Sequence, residues 1–195
     1  MVNINDLRNS YERISNYLVK TPILTSDKLN NEFAANIFLK NEVQQLTGSF
    51  KIRGALSALS YLKKLGTKGV VAFSSGNHAQ GVSKAAQIFD MKAIIVMPKD
   101  APKNKIKKTK ANGAEVVLYE RHKQSREEIA EQIAEDNDFP LVRPFDNEQI
   151  IAGQGSFGIE ACEFFLANEI TPDIVLSCTS GGGLVAGTSI AFKHY

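Results

Sequence analysis

Lys51 lies in Thr47-Gly48-Ser49-Phe50-Lys51-Ile52-Arg53-Gly54, where the pattern places it in the first turn of a helix. Ser49, following a turn at Gly48, reads as the N-cap of that helix. The positive end of a helix dipole disfavours an ammonium, so an amine placed there is easier to deprotonate. A neutral lysine can form a Schiff base with an aldehyde. The ordinary alternative is a solvated side chain in a first helical turn.

Two other segments bear on that choice. Ser74-Ser75-Gly76-Asn77-His78 follows an apolar run and precedes a helical one. It offers two hydroxyls, a carboxamide, an imidazole and helix-start amides, a set suited to a carboxylate. As a plain strand-to-helix turn, it would use Ser75 or Asn77 to cap the next helix. Ser180-Gly181-Gly182-Gly183-Leu184 stands between another apolar run and the last helix. Three glycines let backbone amides approach an anion, and phosphate is the natural ligand. Gly181, Gly183 and Ala186 also satisfy the relaxed G-x-G-x-x-A pattern, leaving a dinucleotide-binding oxidoreductase as an alternative. An aldehyde-reactive lysine together with a phosphate cradle points to pyridoxal 5′-phosphate.

These residues need a scaffold. The sequence predicts a helix over 5–18, a strand at 36–40 and the Lys51 helix through Leu62. Strands follow at 69–74, 93–97, 115–119 and 174–178, with a short one at Leu141-Val142. Helices are predicted at 82–88, 103–111, 153–166 and after the glycine run, and Ser125-Arg-Glu-Glu128 reads as a capping box opening another. Short strands alternating with helices indicate a parallel α/β sheet, in which ligands sit at the carboxyl ends of strands.

Composition narrows the classes. The chain has 195 residues, 43% hydrophobic and 23% charged, with a net charge of +2, ordinary for a globular protein and unlike a nucleic-acid or membrane-surface binder. Two cysteines, Cys162 and Cys178, imply no disulfide framework and favour a reducing cytoplasm; Cys178, after a buried strand, is expected in the core. The N-terminus lacks a signal-peptide core, and no apolar run reaches membrane-spanning length. His122 and His194 have no partners at metal-ligand spacing, and the lysines from 103 to 110 read as a solvated helix face.

Ser49-Phe-Lys-Ile-Arg-Gly-Ala55, Ser74-Ser-Gly-Asn-His-Ala-Gln-Gly81, Ile151-Ala-Gly-Gln-Gly155 and Ser180-Gly-Gly-Gly-Leu184 together resemble the serine/threonine dehydratase and serine racemase family. The resemblance covers essentially the whole chain, in order, and implies the two-domain fold type II architecture of pyridoxal-phosphate enzymes: three-layer parallel sheets with helices on both faces. Residues 53–146 would form the small domain, and 1–52 with 147–195 part of the large one. By resemblance, Lys51 carries the cofactor, Phe50 packs beside its ring, Asn77 bonds its phenolic oxygen, and Ser180, Gly181, Gly182, Gly183 and Leu184 surround its phosphate. Ser180 stands where many members have a fourth glycine. Ser74, Ser75, Gly76 and His78 would line the substrate carboxylate, with Ser75 also matching the opposite-face acid/base of racemases. The implied activity is loss of water and ammonia from threonine or serine, and 3-hydroxyaspartate is a further substrate by resemblance. Members continue well past the glycine loop, so the chain is expected to be an N-terminal fragment. The later part would bring the group facing the pyridine nitrogen and the cation ligands of many members. The full-length protein is expected to be a homodimer. A non-catalytic cofactor-binding fragment is the other alternative.

Overall fold

A computed structural model describes all residues from Met1 to Tyr195. It contains eight α-helices and five strands in the order α1 (Ile4–Ile14), β1 (Ile23–Leu24), α2 (Asp27–Phe33), β2 (Leu39–Lys40), α3 (Lys51–Lys64), β3 (Gly69–Phe73), α4 (Asn77–Ile88), β4 (Lys92–Pro98), α5 (Lys103–Ala111), β5 (Glu115–Tyr119), α6 (Arg126–Asn137), α7 (Glu148–Ala167) and α8 (Gly183–His194). No helix is long and apolar enough to cross a membrane.

The sheet β3-β4-β5 is parallel, and Leu141 adds a single parallel bridge to Val71 on the outer side of β3. All of β3 is buried, as a strand covered on both faces must be. Alternation along the strands divides the contacts. Val70, Ala72, Ile95 and Met97 pack with α3 and α4 residues such as Leu56, Leu59, Val82 and Ala85. Val71, Phe73, Ile94 and Val96 face the other way, onto Ala130 and its neighbours in α6. Side chains of period two thus join one sheet to two helical layers. A separate cluster of Leu7, Ala152, Ile159, Cys162 and Ala191 knits α1, α7 and α8 together.

Local chemistry sets most boundaries. Asn3 caps α1 by accepting from the Asn5 and Asp6 amides, and Asp6 accepts in return from the Asn3 amide at 2.9 Å. The helix stops at Ile14, and Ser15–Tyr17 continue as a 3-10 turn. Ser125 caps α6 through the Glu128 amide at 3.2 Å.

Several expectations are corrected. Ser49 does not cap α3. The N-cap is Phe50, with no side-chain cap bond, and the Ser49 hydroxyl is buried without a partner. Neither Ser75 nor Asn77 caps α4, whose N-cap is Gly76. The strand at 36–40 shrinks to Leu39–Lys40, because only those residues pair, antiparallel, with Ile23–Leu24. Residues 174–178 are irregular, with Leu176 90% and Ile174 75% exposed and Cys178 also exposed. A strand is defined by a neighbour that accepts its ladder bonds, and no strand of the chain lies beside this one.

Candidate active site

Three helix starts carry the candidate residues: Lys51 is the first residue of α3, Asn77 the first of α4 and Gly183 the first of α8. α3 and α4 meet at Lys51. A Cβ on Gly81 of α4 would stand 3.1 Å from the Lys51 carbonyl oxygen, so a side chain there would push the helices apart. The loop from 143 to 147 closes the third side. Lys51 Nζ donates to the Pro144 carbonyl at 2.8 Å. The next residue, Phe145, lies on the glycine run: a Cβ on Gly181 would collide with its ring, and one on Gly183 would stand 3.3 Å from its carbonyl oxygen. Pro144–Phe145 is therefore a shared wall between the amine and the glycine loop.

Burial lowers the Lys51 pKa from its usual ammonium value, because the amine loses water and no carboxylate replaces it. The shift anticipated from the helix dipole is present, but burial supplies it. The Phe50 ring centroid lies 5.3 Å from Nζ. Both side chains are half-buried.

The loop after β3 is built from its backbone outward. The Ser74 hydroxyl accepts from the Gly76 amide at 3.1 Å, holding the turn. Ser75 and Gly76 are half-buried, and Asn77 is exposed with its Oδ1 2.7 Å from Lys105 Nζ. The amides of Asn77, His78 and Ala79 donate to no acceptor in the chain, the usual state of a first helical turn. The His78 imidazole is turned away from this set. It is 3% exposed, with Nε2 3.0 Å from the Val142 carbonyl. Burial, with a smaller effect from nearby Lys51, brings its pKa down to about 4. The neutral ring donates Nε2–H to Val142, leaving Nδ1 as a bare acceptor with no partner. Towards a carboxylate, His78 therefore has its backbone amide to offer rather than its ring.

At the glycine loop, Gly182 has φ +88°, in the left-handed region open to glycine. This turn starts α8, and the amides from Gly181 to Val185 donate to nothing within the chain. Ser180 and Gly181 are exposed, while Gly183 and Leu184 are buried. Free amides at a helix start, three of them on glycines without a Cβ, fit a phosphate. The half-buried amine across the Pro144–Phe145 wall fits an aldehyde. The donor set therefore suits pyridoxal 5′-phosphate.

One buried polar cluster was not anticipated. Arg53, two residues after Lys51, is wholly buried. It holds Glu42 at 2.7 and 2.8 Å and Glu160 at 2.8 and 2.9 Å, while Lys40 reaches Glu160 at 2.6 Å. Burial opposes the charge on Arg53, but the bonds to Glu42 and Glu160 outweigh it and raise its pKa. Two cations and two carboxylates thus lock α3, α7 and the segment before Lys51 together. The available signal was Glu160, the one charged residue among the buried residues of α7.

A model of the family described as "Pyridoxal-phosphate dependent enzyme" matches residues 14–195. The chain is 42% identical over 193 residues to a serine racemase of Schizosaccharomyces pombe, covering 98% of this chain and 58% of that one. It is 41% identical over 190 residues to an L-threo-3-hydroxyaspartate ammonia-lyase of Saccharomyces cerevisiae, covering 96% and 57%. Among solved structures, a T.th. threonine deaminase superposes with TM-score 0.91 at 43% identity, covering 98% of this chain and 61% of that one. The chain thus spans less than two thirds of the length of these relatives.

Proposed function

The chain belongs to the pyridoxal-phosphate-dependent enzyme family, and we propose that it is the lysine-bearing part of an ammonia-lyase acting on a β-hydroxy amino acid. Threonine, serine and 3-hydroxyaspartate are the candidate substrates, giving a 2-oxo acid and ammonia. The single observation that carries this reading is the shared wall: Lys51 bonds to Pro144 while Phe145 lies on the glycine loop. Membership of this family leaves the dinucleotide alternative at Gly181, Gly183 and Ala186 without support.

Lys51 would hold the cofactor's aldehyde carbon, the amides from Gly181 to Leu184 its phosphate, Asn77 its phenolic oxygen and Phe50 one side of its ring. When bound, the cofactor supplies an electron sink for the charge left at the substrate α-carbon. Once the substrate amine has displaced it, Lys51 Nζ, its pKa lowered by burial, would take the α-proton, and that proton would depart with the β-hydroxyl as water. Ser74, Ser75 and the free amides at the start of α4 receive the substrate carboxylate. Ser75 is also the hydroxyl suited to move a proton on the opposite face, which would make the same site a racemase. The serine racemase relative at 42% identity favours that second reading.

The test is to add pyridoxal 5′-phosphate to the chain and record the near-visible absorbance of lysine-bound cofactor together with keto-acid release. Lys51→Ala is expected to abolish the absorbance and any release, because the amine beside the Pro144–Phe145 wall is then gone. Binding without keto-acid release from any of the three substrates would support a non-catalytic cofactor-binding fragment. A wild-type chain with no absorbance would overturn the reading.

A further inference from the structure

The bond between Lys105 and Asn77 crosses from one helix start to another. Lys105 sits in the first turn of α5, and Nζ donates to Asn77 Oδ1 at 2.7 Å. Its backbone is anchored. The Lys105 amide donates to the Pro102 carbonyl at 2.8 Å, and its carbonyl accepts from the buried Thr109 hydroxyl at 2.9 Å. A second tie holds the same two helices in register, Asn112 Nδ2 donating to the Ser83 hydroxyl at 3.0 Å.

An asparagine amide is two-faced, with an acceptor oxygen and a donor nitrogen that can exchange places by rotation. An ammonium has three donors and no acceptor, so it can sit only on the oxygen. Lys105 therefore selects one amide orientation and leaves Nδ2–H₂ as the free end. It also polarises the amide, making Nδ2 a stronger donor. An anionic phenolic oxygen requires such a donor, and a flipped amide would present it with a second oxygen.

We infer that Lys105 is a positioning residue for the cofactor, acting through Asn77 by fixing which end of its carboxamide faces the phenolic oxygen. This rests on the cofactor-site reading above. Lys105 itself needs no contact with the cofactor.

The experiment is a double-mutant cycle on cofactor affinity, read by titrating the chain with pyridoxal 5′-phosphate and following the lysine-bound absorbance. Lys105→Met is expected to weaken binding about tenfold, the size of one charge-assisted hydrogen bond. Lys105→Arg should restore most of it. In an Asn77→Ala background, Lys105→Met should add less than about twofold, because the residue it acts through is gone. The thermal transition of the cofactor-free chain checks that each variant is folded, and Lys105→Gln is the second variant should Lys105→Met fold poorly. Unchanged affinity in Lys105→Met, or losses that simply multiply with Asn77→Ala, would overturn the inference while leaving the cofactor site intact. Absence of the absorbance in the wild-type chain would instead overturn the site reading and the inference with it.

Discussion

At the scale of single residues, the site is defined by what each group has been deprived of. Lys51 has lost water without gaining a carboxylate, so its ammonium is destabilised. His78 has lost its water and spends its one N–H on Val142. Its folded pKa of about 4 lies below the usual imidazole value of 6.5. The unfolded chain therefore binds a proton that the folded chain refuses. Stability from this residue is fully present above about pH 6.5 and falls as pH drops towards 4, by about 3 kcal/mol in all. His78→Gln keeps a donor for Val142 and removes the titration. Urea unfolding between pH 7 and pH 4 is expected to show a shallower loss of stability in the variant. The candidate residues of the site were picked out in the sequence by motif spacing. The direction of the His78 ring was not, since it depends on the Val142 carbonyl, 64 positions away in the chain.

At the scale of elements, α3 is the part that places Lys51, and its polar anchor is the buried cluster around Arg53. Removing one carboxylate from such a cluster strands charge in the interior. Glu160→Gln leaves Arg53 and Lys40 facing only Glu42, and is expected to cost about 3–5 kcal/mol, measured from the urea midpoint. A loss below about 1 kcal/mol would mean that the cluster specifies geometry without stabilising it. Parallel strands and their helices were legible because continuous apolar runs and caps are local signals. The start of α3 was misread because Ser49 has the side chain of a cap but not its position, one residue before Phe50. The short β1-β2 ladder was misread for a different reason: pairing, not propensity, decides how many residues of 36–40 count as strand.

At the scale of the molecule, the chain joins a parallel sheet covered on both faces to a helical cluster of α1, α7 and α8, and leaves an apolar segment near residue 175 in solvent. Ile174→Ser with Leu176→Ser should change folding stability by no more than about 0.5 kcal/mol, since neither side chain is packed. The pair should reduce self-association measured by light scattering, as expected when an exposed apolar patch is made polar. The sequence alone determined the chemistry on offer: an amine in a helix start, a hydroxyl-rich loop and a run of glycines, each specified by residue type and local spacing. It also determined the alternating α/β order, because periodicity and capping act over a few residues. The tertiary structure decided how those pieces meet. The Pro144–Phe145 wall, the Arg53 cluster and the Lys105–Asn77 bond join residues from 11 to 120 positions apart. No local pattern encodes such partners, because burial and charge pairing exist only once the elements have packed.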